Sequence, residues 1–152
     1  MAHPEEKLAE LGLSVPDVPK PVAVYVPAVR SGHHVFTSGQ LPMRAGELIA
    51  TGKVGGEVTQ EEAVECARQC GLNALAAVKA EVGDLATVKR IVKVVCYVAS
   101  TSDFTGQPQV ANGVSELLGA VFGDAGVHAR SAVGVPVLPL DAPVEVELVV
   151  EV

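Results

Sequence analysis

Apolar residues recur along the chain with two different periods, which predict two long helices among short strands. The first helical pattern follows Thr59–Glu62, a capping box in which the threonine caps the helix and the glutamate reaches back. Alanines and cysteines at helical spacing continue from there to Gly83, where the helix is expected to end. A second helical pattern begins at Pro108, a residue suited to the first helical turn, and ends at Gly123.

The remaining apolar segments are rich in β-branched residues and predict strands. Val88–Val98 is the longest and is expected inside the sheet. Five shorter strands are predicted at Val22–Val26, His34–Ser38, Glu47–Ala50, His128–Val135 and Val144–Val150. A turn at Arg30–His33 would join the first two of these, and the last two are expected to pair as a hairpin. This order predicts an α+β fold, with a mixed sheet of about six strands and two helices packed on one face.

The N-terminal residues differ from the rest of the chain. A short helix is predicted over Glu5–Leu13, and the proline-rich run Val15–Pro21 favours extended backbone. The length of 152 residues is that of one domain. We therefore expect residues 1–21 to form an extension and linker, and residues 22–152 to form a single α+β domain.

The longest strand is apolar on both of its faces. Two alternating sets of side chains make up these faces: Val92, Val94, Cys96 and Val98 on one, and Ile91, Val95 and Tyr97 on the other. Two long helices are enough to cover only one face of the sheet. We therefore predict that a second copy of the chain covers the other face in a homo-oligomer.

Composition and charge narrow the functional class. The chain is 49% hydrophobic with a formal net charge of −7, which indicates a globular protein and disfavours nucleic acid as a partner, because phosphates attract Lys and Arg. No signal peptide is recognisable, and no segment approaches the roughly 20 apolar residues of a membrane span. Three cysteines without metal-type spacing are typical of buried thiols in a reducing compartment. A cytoplasmic protein that does not bind membranes is predicted.

Arg130 is the residue that the strand pattern explains least. It shares a face of an otherwise small and apolar strand with His128, Ala132 and Gly134, which are small or polar and leave room beside the guanidinium. The planar fork of arginine suits a carboxylate, although an exposed arginine without a ligand is an alternative. Glu145 and Glu147 alternate on the last strand and either face solvent or position a water molecule.

Other catalytic patterns are missing from the sequence. Ser38 has no recognisable His and Asp partners, so a nucleophilic triad is not predicted. The four histidines lack metal-binding spacing, and we predict no metal. Thr37–Gln40 ends a strand with a glycine, which would let a ligand approach the backbone closely.

Two distant segments together resemble the RidA family, also called YjgF-type proteins. They are F-T-S-G-Q-L-P at Phe36–Pro42 and A-R-S-A-V-G-V-P-V-L-P-L-D-A-P-V-E-V-E at Ala129–Glu147. The pair is more specific than either segment alone. The similarity extends from about Val24 to the C-terminus.

The resemblance implies a chorismate-mutase-like fold assembled as a homotrimer, with ligand sites in clefts between subunits. It also implies hydrolysis of reactive 2-imino or enamino acids to 2-keto acids and ammonia, without a cofactor. Arg130 would bind the substrate carboxylate, and Glu145 would hold the attacking water. The other positions that match ligand-contacting residues of the family are Tyr25, Ser38, Gly39, Ala132, and either Asn112 or Ser115 on the second long helix.

The chain also departs from the family pattern. Ala132 stands where cysteine is frequent, and the segment around Tyr25 lacks a glutamine that is typical of the family. Together with the N-terminal extension, these changes resemble a longer subgroup of the family. Two functions therefore stay open: an imine deaminase that binds a small 2-imino or 2-keto carboxylate ligand, and a non-catalytic trimer that binds a small carboxylate metabolite or a protein partner. An RNA-cleaving role is disfavoured by the acidic charge.

The predicted hairpin allows a test of the site's geometry. It would place Arg130 opposite about Val149 and Glu145 opposite about Gly134, which separates the two by roughly 13 Å at about 3.3 Å per residue. One small imino acid cannot touch both at that distance. We therefore expect Arg130 and Glu145 to meet across a subunit boundary.

Overall fold

The computed structural model describes residues 2–21 and 23–152, which form three helices and seven strands. The helices are α1 (Pro4–Glu10), α2 (Gln60–Val82) and α3 (Gln107–Phe122). The strands are β1 (Ala28–Ser31), β2 (His34–Thr37), β3 (Met43–Arg44), β4 (Glu47–Leu48), β5 (Arg90–Ala99), β6 (Ala129–Val135) and β7 (Val144–Glu151).

Five strands form a mixed sheet in the order β1-β2-β7-β5-β6, while β3 and β4 pair separately. The central strand β7 is antiparallel to both of its neighbours, and β5 and β6 run parallel. The two long helices pack against each other and against the sheet, with α2 over β7 and β2, and α3 over β5 and β6. The α+β prediction is confirmed, although the strands divide into sheets of five and two rather than one sheet of about six.

The predicted hairpin between the last two strands is wrong. β6 pairs only in parallel with β5 among the described strands, and β7 lies between β2 and β5. The physical reason is the position of α3 between β5 and β6, since a helical crossover is what a parallel pair of strands requires. A turn at Pro139–Asp141, with φ of 60° at both Leu140 and Asp141, leads from β6 towards the middle of the sheet.

The first strand begins later than predicted. Residues 23–25 form bends rather than a strand, Val26 belongs to no regular element, and Val22 lies outside the described residues. β1 includes Arg30, which was expected in the turn, so that the turn itself is Gly32–His33. Pro27 directly before β1 contributes to the late start, because proline has no N–H to donate to a sheet.

Local signals define both ends of α2 as predicted. The Thr59 hydroxyl accepts from the Glu62 N–H at 3.1 Å, and the Glu62 carboxylate accepts from the Thr59 N–H at 2.8 Å. Gly83 follows the helix with φ of 86°, a conformation that favours glycine. Within the two described ranges, no helix combines the length and hydropathy needed to cross a membrane.

The N-terminal helix α1 packs onto the domain. Leu8 is fully buried in the hydrophobic core, and Glu5 accepts from the Lys79 ammonium at 2.5 Å. Leu13 and Val15 are partly buried against the same core. The boundary predicted after the proline-rich run stays a prediction, but α1 contributes to the core of the domain.

Candidate functional site

A cavity of about 420 Å³ opens beside the start of β7 and brings together four of the predicted site residues. These are Tyr25, Ser38, Gly39 and Glu145, and we call the space the Glu145 cavity. Most of its other lining residues are apolar and come from the proline-rich run, from the loop after β2 and from the turn before β7: Pro19, Lys20, Pro21, Pro27, Gln40, Leu41, Met43, Pro139 and Leu140.

Gly39 lies directly against the side chain of Glu145. A Cβ atom at position 39 would be 2.6 Å from Glu145 Oε1 and 2.8 Å from its Cδ, which is closer than real side chains allow. The backbone here is fixed to β7, because Gln40 N–H donates to the Val146 carbonyl at 2.8 Å and Val146 N–H donates back at 3.0 Å. The glycine expected to admit a ligand therefore gives space to a carboxylate of its own chain.

Ser38 orients the segment that carries Tyr25. Its hydroxyl donates to the Val26 carbonyl at 2.6 Å, and its backbone N–H donates to the Pro27 carbonyl at 2.8 Å. The hydroxyl proton is thus used within the chain, while the oxygen can still accept from a ligand. This arrangement supports a positioning role for Ser38 rather than a nucleophilic one.

The electrostatics of the Glu145 cavity favour a base. Burial raises the pKa of the Glu145 carboxyl above its ordinary 4.5, and the charge of Glu147 raises it further. Tyr97 lies across from Glu145 on β5, and its hydroxyl donates to Glu147 Oε1 at 2.8 Å. That hydrogen bond, with burial, raises the pKa of Tyr97, so the phenol stays protonated. A carboxylate with a raised pKa accepts a proton from water more readily than an ordinary one.

Arg130 lies elsewhere, at the edge of the sheet beneath α3. Its Nη1 donates to Asn112 Oδ1 at 2.8 Å and to Ser115 Oγ at 3.2 Å, and its Nη2 donates to the Pro108 carbonyl at 3.3 Å. The two α3 residues that the sequence left as alternatives thus both contact the guanidinium. Arg130 is held in place by α3 rather than free in solvent.

The hydrogen bonds of Arg130 leave donors for a ligand. Among the described residues, they use three of the five guanidinium N–H groups. The Nε–H and one Nη2–H remain, and paired donors of this kind suit a carboxylate. Ala132, next on the same face of β6, is partly buried against the core, and its contact with a substrate stays a prediction.

His128 belongs to the same network. It was predicted to share a strand face with Arg130, but no role was assigned to it from the sequence. Its Nδ1 lies 2.6 Å from the Gly126 carbonyl oxygen, and its Nε2 lies 2.8 Å from Ser115 Oγ. A carbonyl can only accept, so Nδ1 carries the proton, and Nε2 of the neutral ring accepts from the Ser115 hydroxyl. The lone pairs of Ser115 are thereby directed towards Arg130. The sequence signal was its position two residues before Arg130 in the predicted strand.

The Arg130 network and the Glu145 cavity belong to opposite faces of the main sheet. Arg130 is aligned with Val94 of β5, and Glu145 with Tyr97. Positions 94 and 97 are three residues apart, so their side chains point in opposite directions. At about 3.3 Å per residue and about 4.8 Å per strand, the Cα atoms of Arg130 and Glu145 are separated by roughly 14 Å.

The predicted partners of these two residues are therefore wrong. Arg130 was expected opposite about Val149 and Glu145 opposite about Gly134, but both lie opposite β5 because the hairpin does not form. The separation hardly changes. The new finding is that the side chains of Arg130 and Glu145 point to opposite faces of the sheet. In the predicted hairpin they would point to the same face.

The three cysteines are free and buried. Burial raises the pKa of Cys66 to about 11 and that of Cys96 to about 12, and it raises the pKa of Cys70 well above its ordinary value. All three are therefore thiols at neutral pH and are poor nucleophiles. Across residues 2–21 and 23–152, no group of three or more His, Cys, Asp or Glu side chains is arranged to hold a metal ion.

Comparisons with known proteins point to one family. Residues 5–152 match the family described as "YjgF/chorismate_mutase-like, putative endoribonuclease". The chain is 43% identical to protein TCP17 of Trypanosoma cruzi, over 95% of this chain and 91% of that protein. It is 33% identical to a 2-iminobutanoate/2-iminopropanoate deaminase of Dermatophagoides farinae, over 91% of this chain and 93% of that protein.

A solved structure extends the similarity to nearly the whole chain. The crystal structure of Atu1372 from Agrobacterium tumefaciens, described as a protein of unknown function, is 42% identical with a TM-score of 0.91. The match covers 98% of this chain and 91% of that one. It therefore includes most of the N-terminal extension.

Proposed function

Because the chain belongs to the YjgF/RidA family, we propose that it hydrolyses 2-imino and enamino acids to 2-keto acids and ammonia. The observation that carries this proposal is the Glu145 carboxyl, which has a raised pKa and lines a cavity with Tyr25, Ser38 and Gly39. A relative that is 33% identical carries the name of a deaminase of this kind. An imine is already electrophilic, so the reaction needs an oriented substrate and a positioned water rather than a cofactor.

The proposed reaction divides its tasks between the two groups. The free donors of Arg130 bind the substrate carboxylate, and Glu145 takes a proton from water as the oxygen adds to the imine carbon. Glu145 then returns the proton to the substrate nitrogen. The second water proton passes from the new hydroxyl through Glu145 to the same nitrogen, the C–N bond breaks, ammonia leaves, and the carbonyl of the 2-keto acid forms.

We place this site between subunits of a homotrimer. The separation of roughly 14 Å and the opposite orientation of Arg130 and Glu145 prevent one small ligand from touching both in a single chain. The sheet face that carries Glu145 also presents exposed apolar side chains, among them Val29, Phe36 and Val133. Burial of this face against another copy would supply both the cover and the missing half of the site.

Activity is tested by generating 2-imino acids in situ with an amino-acid oxidase and following 2-keto acid release. Wild-type protein should accelerate release, and Arg130→Ala and Glu145→Gln should each abolish the acceleration. A wild type that binds 2-keto acids but accelerates the hydrolysis of no imino acid would identify the non-catalytic carboxylate-binding protein instead. That alternative rests on the same Arg130 donors, which bind a carboxylate whether or not water attacks.

Complementation between the two variants tests the intersubunit site. Each active site needs Arg130 from one chain and Glu145 from a neighbour. In trimers that contain both Arg130→Ala and Glu145→Gln chains, about one third of the sites should therefore be intact. Co-expressed variants, purified together through two different tags, should recover measurable activity. Activity that stays at the level of the single variants would contradict the shared site.

Two further expectations belong to this proposal. Nucleic acid is not expected to bind, because the formal net charge is −7. A cytoplasmic location stays a prediction.

A further inference from the structure

Part of the wall of the Glu145 cavity comes from the N-terminal extension and is mostly apolar. We call residues 16–21 the proline strap. Pro19 and Pro21 of this strap line the cavity together with Met43 and Leu140. A second cavity, of about 580 Å³, lies along the strap and shares Pro19 and Met43 with the first. The strap therefore lines both cavities.

The position of the strap depends on apolar packing and on its prolines. Within the described part of the chain, no hydrogen bond joins residues 14–21 to the rest of the protein. Leu13 and Val15 hold its N-terminal end against the core. Proline restricts φ, so a proline-rich strap keeps an extended shape without a hydrogen-bond ladder.

The size of the cavity exceeds what a small imino acid needs. Cavities of about 300 Å³ and more accommodate drug-sized ligands, and the Glu145 cavity measures about 420 Å³. A substrate with a methyl side chain would leave most of this space unfilled. The apolar wall of the cavity would also remain in contact with water. A larger apolar side chain would displace this water, which is favourable.

We infer that the proline strap and Leu140 form a side-chain pocket that selects 2-imino acids with a branched or long apolar side chain. This inference rests on the proposed function, because it places the substrate side chain in the Glu145 cavity. The substrate carboxylate then points towards the neighbouring subunit's copy of the Arg130 network. Lys20, which also lines the cavity, offers the competing possibility of an acidic side chain, and the test distinguishes the two.

Binding of stable 2-keto acids measures the selectivity without requiring turnover. The probes are pyruvate, 4-methyl-2-oxopentanoate and 2-oxoglutarate, titrated into the full-length protein by calorimetry. Each buried methylene contributes a factor of about four, or about 0.8 kcal/mol. Three extra side-chain carbons should therefore make 4-methyl-2-oxopentanoate bind on the order of fifty-fold more tightly than pyruvate.

Two variants remove the wall while preserving the fold. Leu140→Asn places a polar residue that tolerates the positive φ of 60° at this position. Pro19→Gly with Pro21→Gly loosens the strap. Each should reduce the preference for 4-methyl-2-oxopentanoate over pyruvate to less than tenfold. Leu11→Asn is the matched control, since Leu11 lines a separate cavity beside α2 and α3, and it should keep the full preference.

The outcomes separate this inference from the proposed function. Equal binding of pyruvate, tighter binding of 2-oxoglutarate, or a preference that survives both wall variants would each overturn the apolar pocket. Selective binding of 4-methyl-2-oxopentanoate without hydrolysis of any imino acid would disprove the deaminase while supporting the pocket. Hydrolysis of imino acids without the binding preference would support the deaminase and overturn the apolar pocket.

Discussion

Substitution of Gly39 by alanine tests the role of Glu145 through a change of one methyl group. The new Cβ would lie 2.6 Å from Glu145 Oε1, 2.8 Å from Cδ and 3.0 Å from Cγ, whereas ordinary contacts begin at 3.4 Å. The carboxyl must therefore move by about 1 Å. All three crowded atoms belong to one flexible side chain, so Glu145 rotates away and the backbone stays in place.

The expected effect on stability is small and the expected effect on rate is large. Replacing glycine by alanine stabilises the folded protein by about 0.4–1 kcal/mol, because it lowers the conformational entropy of the unfolded chain. A strained rotamer at Glu145 costs about 0.5–1.5 kcal/mol, so the net change in unfolding free energy should stay below about 1 kcal/mol. A catalytic group misplaced by about 1 Å loses roughly a hundredfold in rate, which is the reduction in kcat/KM that we expect.

The measurement combines steady-state hydrolysis of in situ generated imino acids with thermal denaturation. Gly119→Ala is the matched control, because no atom lies within 4 Å of a Cβ at that position of α3 and activity should be unchanged. In a Glu145→Gln background, Gly39→Ala should cause little further loss, since both changes act on one group. A Gly39→Ala protein that is folded and as active as the wild type would refute the placement of Glu145 in the reaction.

Three further predictions concern proton transfer, substrate binding and stability. Burial and then the charge of Glu147 raise the pKa of Glu145, so kcat/KM should rise with pH through a value above 4.5. Glu147→Gln should move that limb of the pH–rate profile to lower pH, and an unmoved limb would contradict the electrostatic coupling. Ser115→Ala removes an acceptor from the Arg130 guanidinium and should raise KM about tenfold with little change in kcat, as measured by steady-state kinetics; an unchanged KM would argue against the network. Asn73→Ala leaves two backbone carbonyls of the loop after β2 without their donor and should lower the unfolding free energy in urea by about 2–4 kcal/mol. A loss well below 1 kcal/mol would show that water replaces the amide.

The helices could be predicted from the sequence because their signals are local. The Thr59 box and Gly83 bound α2, and Pro108 and Gly123 bound α3 to within one residue. Strand partners depend on contacts between distant segments, which no local pattern contains. The β-branched residues of β6 identified a strand but carried no information that its partner is β5 rather than β7.

The candidate site was predictable only in part, for the same reason. Arg130 and Glu145 stand in short motifs that resemble a family, so their identity came from the sequence. The roles of His128 and of the proline-rich run were not predicted, because they depend on which side chains lie beside these residues after folding. A position on one strand face and an extended backbone do not indicate which groups the residues contact.

The erroneous hairpin still led to a correct separation of Arg130 and Glu145, but the two arrangements have different consequences. In the hairpin register both side chains would share one face, and a longer ligand or a chain of water molecules would be enough to bridge them. In the observed register the sheet itself stands between them, since their partners Val94 and Tyr97 point in opposite directions. No rotamer change within one chain brings both groups to a small ligand. The catalytic proposal and the oligomeric proposal therefore depend on each other, and complementation between the two variants tests both.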